Sequence, residues 1–183
     1  MTIRLRGFAC SSILALGLLA AAPGFAQMAN PAAKAAAGET LPFPITEVGA
    51  FSLPWAMAFL PNGKTLVTQK KGEIILFDPK GGAKTTLSGT PAVVSGGQGA
   101  MMDIVLSPDF ARSKKVYFSF SEAGEGKTNG AALATATLDE AGGALKNVKV
   151  IFRATPYIEA FAHWSGRIAF SPDKKYLFFT NGE

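Results

Sequence analysis

The sequence predicts an all-β structure from residue 42 to the end of the chain, and three observations indicate this. Helical periodicity is absent from the region. Short apolar runs alternate with turns rich in Gly, Pro, Asn and Asp, which is typical of antiparallel strands. One turn motif also recurs along the region, which indicates that a similar small sheet is built more than once.

Four strands are expected in the first part of this region. Three are predicted at Trp55–Phe59, Thr65–Gln69 and Glu73–Phe77, because each is apolar or β-branched and is followed by turn residues. Either Thr85–Leu87 or Ala92–Val94 supplies the fourth. Four short antiparallel strands in about 45 residues is the size of one β-propeller blade.

The recurring motif consists of apolar residues, then Pro-Asn or Pro-Asp, then polar residues and a new β-rich run. Its copies and the runs that follow are Ala58–Gly63 with Thr65–Thr68, Ile104–Asp109 with Val116–Phe120, and Ile168–Asp173 with Tyr176–Thr180. The alternative is coincidental turn chemistry, since Pro-Asp is common in turns. The repeat predicts an incomplete β-propeller, with about two and a half four-stranded blades.

The first 26 residues are typical of a signal peptide. Arg4 and Arg6 precede an apolar run from Ile13 to Ala22, and cleavage is expected after Ala26. An uncleaved membrane anchor is the alternative, but the run is too short to cross a bilayer of about 30 Å. The predicted organisation is therefore a signal peptide at 1–26, a flexible linker at 27–41 and the propeller segment at 42–183. No membrane span is expected in the mature chain, which we place in the periplasm or outside the cell.

The mature chain carries little that points to a nucleic acid or a metal. Removing the two arginines of the signal peptide leaves 16 basic and 13 acidic residues, scattered beside turns rather than gathered in a stripe. The single cysteine, Cys10, lies within the signal peptide, so no disulfide or thiolate metal site is expected. No cluster of His, Asp and Glu has the spacing of metal ligands.

Gln98 and His163 are the candidate site residues by position. Gln98 lies ten residues before Pro108, and His163 lies nine residues before Pro172, so both precede the first strand of a blade. Loops in that place enter one mouth of the central channel, where the two side chains would converge. His163 is the only histidine, and an imidazole titrates close to neutral pH. The alternatives are a structural histidine and a glutamine that hydrogen-bonds the glycine-rich loop.

Several other side chains are expected to be structural. A charge at Asp103, on a strand, needs a partner, and Arg167 is interpreted as part of a structural pair rather than an anion site. Six aromatic residues are predicted to lie in the core: Phe59, Phe118, Phe120, Phe170, Phe178 and Phe179.

Three segments together resemble a known family. The segment from Trp55 to Gly63, the segment Gly96–Leu106 and the segment His163–Phe170 are similar to the soluble pyrroloquinoline-quinone (PQQ) dependent glucose/sorbosone, or aldose sugar, dehydrogenases. Ala100, Met101 and Met102 depart mildly from that pattern. The resemblance covers residues 53–183 and implies that the complete β-propeller has six blades.

The resemblance implies an enzyme that oxidises a small sugar to a lactone. It implies that His163 is the general base and that Gln98 lies beside the quinone and the substrate. PQQ and Ca²⁺ are the implied cofactors, with most of their ligands in later blades, so this chain is expected to be inactive alone. A non-catalytic propeller segment is the alternative. A lactonase-type hydrolase is disfavoured, because Glu159 is the only acid close before His163.

Overall fold

The computed structural model describes residues 43–182. The predicted signal peptide and the whole of the predicted linker lie outside the described residues. From Thr46 onward the chain forms one compact unit. Its strands are β1 Pro54–Phe59, β2 Thr65–Gln69, β3 Ile74–Phe77, β4 Lys84–Thr86, β5 Met101–Leu106, β6 Lys115–Ala123, β7 Asn129–Asp139, β8 Ala144–Arg153, β9 Ser165–Phe170 and β10 Leu177–Asn181, and its one described helix is α1 Phe110–Ser113.

The strands form three antiparallel sheets in chain order. The sheets are β1-β2-β3-β4, β5-β6-β7-β8 and the pair β9-β10. Two four-stranded blades and the first two strands of a third confirm the predicted incomplete β-propeller. Of the two candidates for the fourth strand, Thr85–Leu87 overlaps the observed β4, and Ala92–Val94 forms no strand. The helix was not predicted; it is four residues long and buries Phe110 in the turn between β5 and β6.

The repeated turn has a common physical basis in the second and third blades. The hydroxyl of Ser107 donates to the carboxylate of Asp109, and the hydroxyl of Ser171 donates to Asp173 at 2.6 Å. These bonds lower the pKa of both carboxyl groups, that of Asp109 to about 2. The same Ser-Pro-Asp chemistry therefore closes the turn after the first strand in both blades.

The main core lies between the first two sheets. Leu66, Ile74 and Leu76 of the first sheet belong to one buried cluster with Ile104 and Phe118 of the second. Burying a side chain of this size stabilises a fold by roughly 1.5–3 kcal/mol. A smaller cluster lies between the second sheet and the third, with its buried members Ala100, Met102, Ala131 and Trp164.

The prediction for the six aromatic residues is wrong for two of them. Phe118 and Phe120 are fully buried, and Phe170 and Phe179 are half-buried. Phe59 and Phe178, however, are 71% and 60% exposed. Side chains alternate between the two faces of a strand, so the buried Ala58 faces the second sheet while Phe59 lies on the opposite face of β1. Among the described residues, nothing buries that face at Phe59.

No helix in the described part of the chain is long and apolar enough to cross a membrane.

Candidate active site

The candidate residues Gln98 and His163 lie at the same end of the sheets. Because neighbouring strands are antiparallel, β5 and β7 begin at the same end at which β6 and β8 finish. The loop with Gln98 leads into β5, and the loop with His163 leads into β9. We call this end of the blades the rim.

The structure places Gln98 and His163 in direct contact at the rim. The backbone N–H of His163 donates to the side-chain oxygen Oε1 of Gln98 at 2.8 Å. In the opposite direction, the backbone N–H of Gln98 donates to the carbonyl oxygen of Phe161 at 2.7 Å. The proximity that the spacing predicted is therefore observed, while the roles of the two residues stay predictions. The alternative role of the Gln98 side chain was a hydrogen bond to the backbone of its own glycine-rich loop. The side chain does bind a backbone group, but that group belongs to the loop of the neighbouring blade.

Gly97 allows the two loops to approach this closely. Its φ is +54°, in the left-handed region, and a Cβ atom at this position would lie 2.2 Å from the carbonyl oxygen of Phe161. Only glycine avoids both the conformational strain and the collision. The ammonium group of Lys70, which follows β2, donates to the carbonyl oxygen of Gly97. Three blades therefore contribute to the same small region of the rim.

The backbone of His163 is held in an uncommon conformation. Its φ is +62°, which for a residue other than glycine costs roughly 1–2 kcal/mol. Gly182, which directly follows β10, packs against its carbonyl group, because a Cβ at this glycine would lie 1.5 Å from that oxygen. The imidazole itself is exposed at the rim. Strain of this kind persists where the surroundings fix it, and it is often found at functional sites.

A three-residue cluster anchors the loop that leads to His163. The guanidinium of Arg153 binds the Glu122 carboxylate through two bonds of 2.6 and 3.0 Å, and the hydroxyl of Tyr157 donates to the same carboxylate at 2.6 Å. The arginine is the main reason that the pKa of Glu122 lies below its usual value. Burial and the adjacent carboxylate raise the pKa of Tyr157. The tyrosine ring lies against Gly130, where a Cβ would come within 2.1 Å of it.

Sequence reasoning missed this cluster, because Glu122, Arg153 and Tyr157 form no motif. Their proximity depends on the register of β6, β7 and β8.

Asp103 and Arg167 form an ion pair with each other, as expected from the need of each side chain for a structural partner. The Asp103 carboxylate is buried and accepts from the backbone N–H of Ile168 at 2.8 Å and from the guanidinium of Arg167 at 3.3 Å. The guanidinium is largely exposed and stacks over the ring of Trp55, 4.6 Å from its centroid. Asp103 therefore links the second and third blades below the rim.

A small pocket opens beside His163. It has a volume of about 80 Å³ and lies between the start of β7, the loop 154–163 and the end of β10. Apart from His163, no titratable side chain lines it.

The described residues only partly fit the implied cofactors. No group of three or more His, Cys, Asp or Glu side chains in residues 43–182 could hold a metal ion. Three cations near the rim already have partners, since Lys70 donates to Gly97, Arg153 binds Glu122 and Arg167 binds Asp103. Residues 43–182 therefore contain no metal-binding cluster, and these three cations are already engaged rather than free for the carboxylates of PQQ.

Stacked four-stranded antiparallel blades, with polar loops meeting at one rim, define the chain as part of a β-propeller. The family model described as Glucose / Sorbosone dehydrogenase matches residues 51–183. The chain belongs to this family, as its resemblance predicted.

Three relatives illustrate the similarity. Aldose sugar dehydrogenase YliI of Escherichia coli (strain K12) is 37% identical over 131 residues, which cover 71% of this chain and 35% of the relative. The crystal structure of the soluble aldose sugar dehydrogenase of Escherichia coli in its apo form matches with a TM-score of 0.68 and 37% identity, over 72% of this chain and 38% of that one. The PQQ-bound aldose sugar dehydrogenase of Streptomyces coelicolor matches with a TM-score of 0.62 and 34% identity, over 71% and 38%. The chain thus spans little more than a third of the length of these relatives.

Proposed function

We propose that this chain forms the first part of a PQQ-dependent dehydrogenase that oxidises aldose sugars to lactones, with His163 as the general base. The observation that carries the proposal is the contact between Gln98 and His163 at the rim of two adjacent blades. It is supported by membership of a family named for glucose and sorbosone dehydrogenation.

The reaction requires a base beside the anomeric carbon. Oxidation of the cyclic sugar breaks the O–H bond of its anomeric hydroxyl and the C–H bond of the same carbon, and a C=O bond forms. The proton passes to the imidazole of His163, and the hydride leaves the carbon. PQQ, when bound, supplies the hydride acceptor. A positioned base of this kind contributes roughly 10²- to 10⁴-fold to the rate.

The role of the neighbouring residues is to hold the backbone of His163 in place. Gln98 binds the backbone N–H of His163, and Gly182 packs against its carbonyl group. With both backbone groups of the residue in contact, the Cα–Cβ bond that carries the ring has a fixed position and direction. Preorganisation of this kind lowers the barrier to a proton transfer.

The cofactor ligands are assigned to further blades of a complete ring. PQQ affinity and the Ca²⁺ that would polarise the quinone depend on those blades, since residues 43–182 contain no metal cluster. Residues 27–183 alone should then bind PQQ weakly and show no dye-linked sugar oxidation. We also propose that residues 1–26 direct the protein to the periplasm.

The test uses the protein that the complete reading frame encodes, reconstituted with PQQ and Ca²⁺. His163→Asn removes the base but introduces a residue that tolerates a positive φ. Turnover of glucose should fall by roughly 10²- to 10⁴-fold, while the affinity for PQQ, measured by absorbance titration, should stay within twofold.

Lys174→Asn is the matched control, because Lys174 has a φ of +63° in the turn at the opposite end of the same blade. It should leave turnover unchanged. Full turnover by His163→Asn would remove the residue from its proposed role. A wild-type protein that binds a sugar but never oxidises it would support a non-catalytic binding propeller instead.

A further inference from the structure

The loop 154–163, which ends at the proposed base, is bonded to its neighbours through backbone groups. Ile158 exchanges two bonds, of 2.9 and 3.2 Å, with Asn129 at the start of β7. The carbonyl oxygen of Phe161 accepts from the N–H of Gln98 at 2.7 Å. Almost any residue can form backbone bonds of this kind, so the side chain that fixes the path of the loop must be identified from other contacts.

Tyr157 is a side chain of this loop for which the second blade leaves a matching space. A Cβ at Gly124 would lie 2.8 Å from its ring, and a Cβ at Gly130 would lie 2.1 Å from it. Neither glycine has a positive φ, so the two positions require room for the ring and not an unusual backbone. The ring therefore fills a notch at the rim end of the β6–β7 hairpin.

The hydroxyl of Tyr157 binds a carboxylate whose orientation is already fixed. Arg153 donates to both oxygens of Glu122, at 2.6 and 3.0 Å, and the tyrosine donates to Oε2 at 2.6 Å. The arginine lowers the pKa of Glu122, and burial raises the pKa of Tyr157. The acceptor therefore stays ionised and the donor stays protonated at neutral pH, which favours a strong hydrogen bond.

Tyr157 is the member of this cluster that lies outside the sheet. Glu122 lies on β6 and Arg153 on β8, and both strands are already joined through β7. Their ion pair is also half-exposed on the arginine side, so it adds little to the stability of that sheet. The bond from Tyr157 instead ties the loop to the sheet, and the ion pair orients its acceptor.

The anchor at Tyr157 lies close to the contacts that hold the base. Only two residues separate Ile158 from Phe161 in the sequence, and such a segment spans at most about 11 Å. It has little freedom to absorb a movement of Tyr157. Such a movement would therefore reach Phe161 and Gln98, whose side-chain oxygen accepts from the N–H of His163 at 2.8 Å.

We propose that Tyr157 is a positioning residue, which fixes through its bond to Glu122 the loop that places His163 for proton transfer. The inference rests on the proposed function and deepens it. Since the tyrosine acts through the base, its loss should slow the chemical step without weakening the binding of sugar or quinone.

The test uses Tyr157→Phe in the protein that the complete reading frame encodes, reconstituted with PQQ and Ca²⁺. This substitution removes the hydroxyl and leaves the ring in its notch. The kcat for glucose, expressed per bound PQQ, should fall by roughly 3- to 10²-fold, where the upper figure is the effect of a displacement of about 1 Å. KM for glucose and the affinity for PQQ should change by less than about twofold.

Tyr117→Phe is the matched control. Tyr117 lies near the start of β6, at the end of the same blade opposite the rim, where its ring packs against Phe170. Removal of this hydroxyl should change kcat by less than about twofold. Equal losses in the two variants would overturn the proposal, because the effect would then not depend on the loop.

A double-mutant cycle with His163 separates positioning of the base from a general weakening of the fold. With His163→Asn the base is absent, so Tyr157→Phe should lower the residual kcat by less than about twofold further. If it lowers the residual rate by the same factor as in the wild type, the effect does not pass through His163 and the proposal is wrong.

Hydrogen exchange at the His163 amide, measured by NMR without PQQ, tests the loop contact independently of catalysis. Tyr157→Phe should accelerate this exchange by about tenfold, whereas Tyr117→Phe should not. Faster exchange together with a wild type that oxidises no aldose would support the hold on the loop and overturn the proposed function. Unchanged exchange would overturn the positioning role itself, and so would faster exchange in an active enzyme whose kcat is unaffected.

Discussion

The substitution Gly97→Ala tests the close approach of the two rim loops, because it adds a single methyl group between them. In Gly97→Ala the new Cβ would lie 2.2 Å from the carbonyl oxygen of Phe161, so the backbone must move by about 1 Å to reach an ordinary contact distance. This movement breaks the 2.7 Å bond from Gln98 to Phe161. It also displaces the oxygen of Gln98 that holds His163.

The expected magnitude has two parts. An alanine with φ of +54° costs about 1–2 kcal/mol relative to glycine. The lost hydrogen bond adds about 1 kcal/mol, which gives a total of roughly 2–3 kcal/mol. A displacement of about 1 Å at a reacting group lowers the rate by about 10²-fold. We therefore expect a large loss in kcat/KM together with a moderate loss in stability.

Gly63→Ala is the matched control. Gly63 has a φ of +84° in the turn between β1 and β2, at the end of the blade opposite the rim, and nothing lies within 4 Å of its Cβ position. This variant therefore carries the conformational cost without the collision. It should lose about 1–2 kcal/mol of stability and less than twofold in kcat/KM for glucose.

The assays are urea unfolding and dye-linked glucose oxidation by the complete reconstituted protein. Equal activity in the two alanine variants would refute the reasoning, because it would show that the loop contact at Phe161 does not position the base.

Three further predictions concern the contacts around the site. Gln98→Ala should accelerate hydrogen exchange at the His163 amide by up to about tenfold. Gln98→Glu keeps an acceptor oxygen and should leave that exchange rate unchanged. Equal exchange rates in the two variants would contradict the hydrogen bond from His163 to Gln98. Asp103→Ala should lower the free energy of unfolding, measured in urea, by roughly 2–3 kcal/mol, because it leaves a buried N–H unpaired. Arg167→Gln should lower it by less than about 1 kcal/mol, because the guanidinium is exposed. A larger loss in Arg167→Gln than in Asp103→Ala would contradict the burial argument. The pKa of Glu122 is lowered in the fold, mainly by its arginine partner, so its carboxylate stabilises the protein above about pH 4.5 and this contribution is lost as the pH falls. Glu122→Gln should therefore flatten the loss of stability measured by thermal unfolding between about pH 5 and pH 3, and an unchanged slope would show that the pair contributes nothing.

The strands of this protein were predictable because their information is local. Alternation of apolar residues and the Pro-Asn or Pro-Asp turns placed β1 to β3, β6 and β10 within a few residues of their observed bounds. The periodic position of Gln98 and His163 was equally local, because each precedes the first strand of its blade. A repeated unit places equivalent loops at one end of the stack, and the observed contact follows from that rule.

The contacts that complete the site depend on how the blades stack. Glu122, Arg153 and Tyr157 meet because of the register of three strands. Asn129 and Trp164 line the pocket beside His163 because the loop 154–163 folds back over the start of β7. The exposure of Phe59 likewise depends on which face of β1 meets the second sheet. Composition and period determined that this chain forms blades with an amide and an imidazole at one rim. Only the packing of one blade on the next decided which polar atoms were satisfied, because that depends on distances between residues far apart in the sequence.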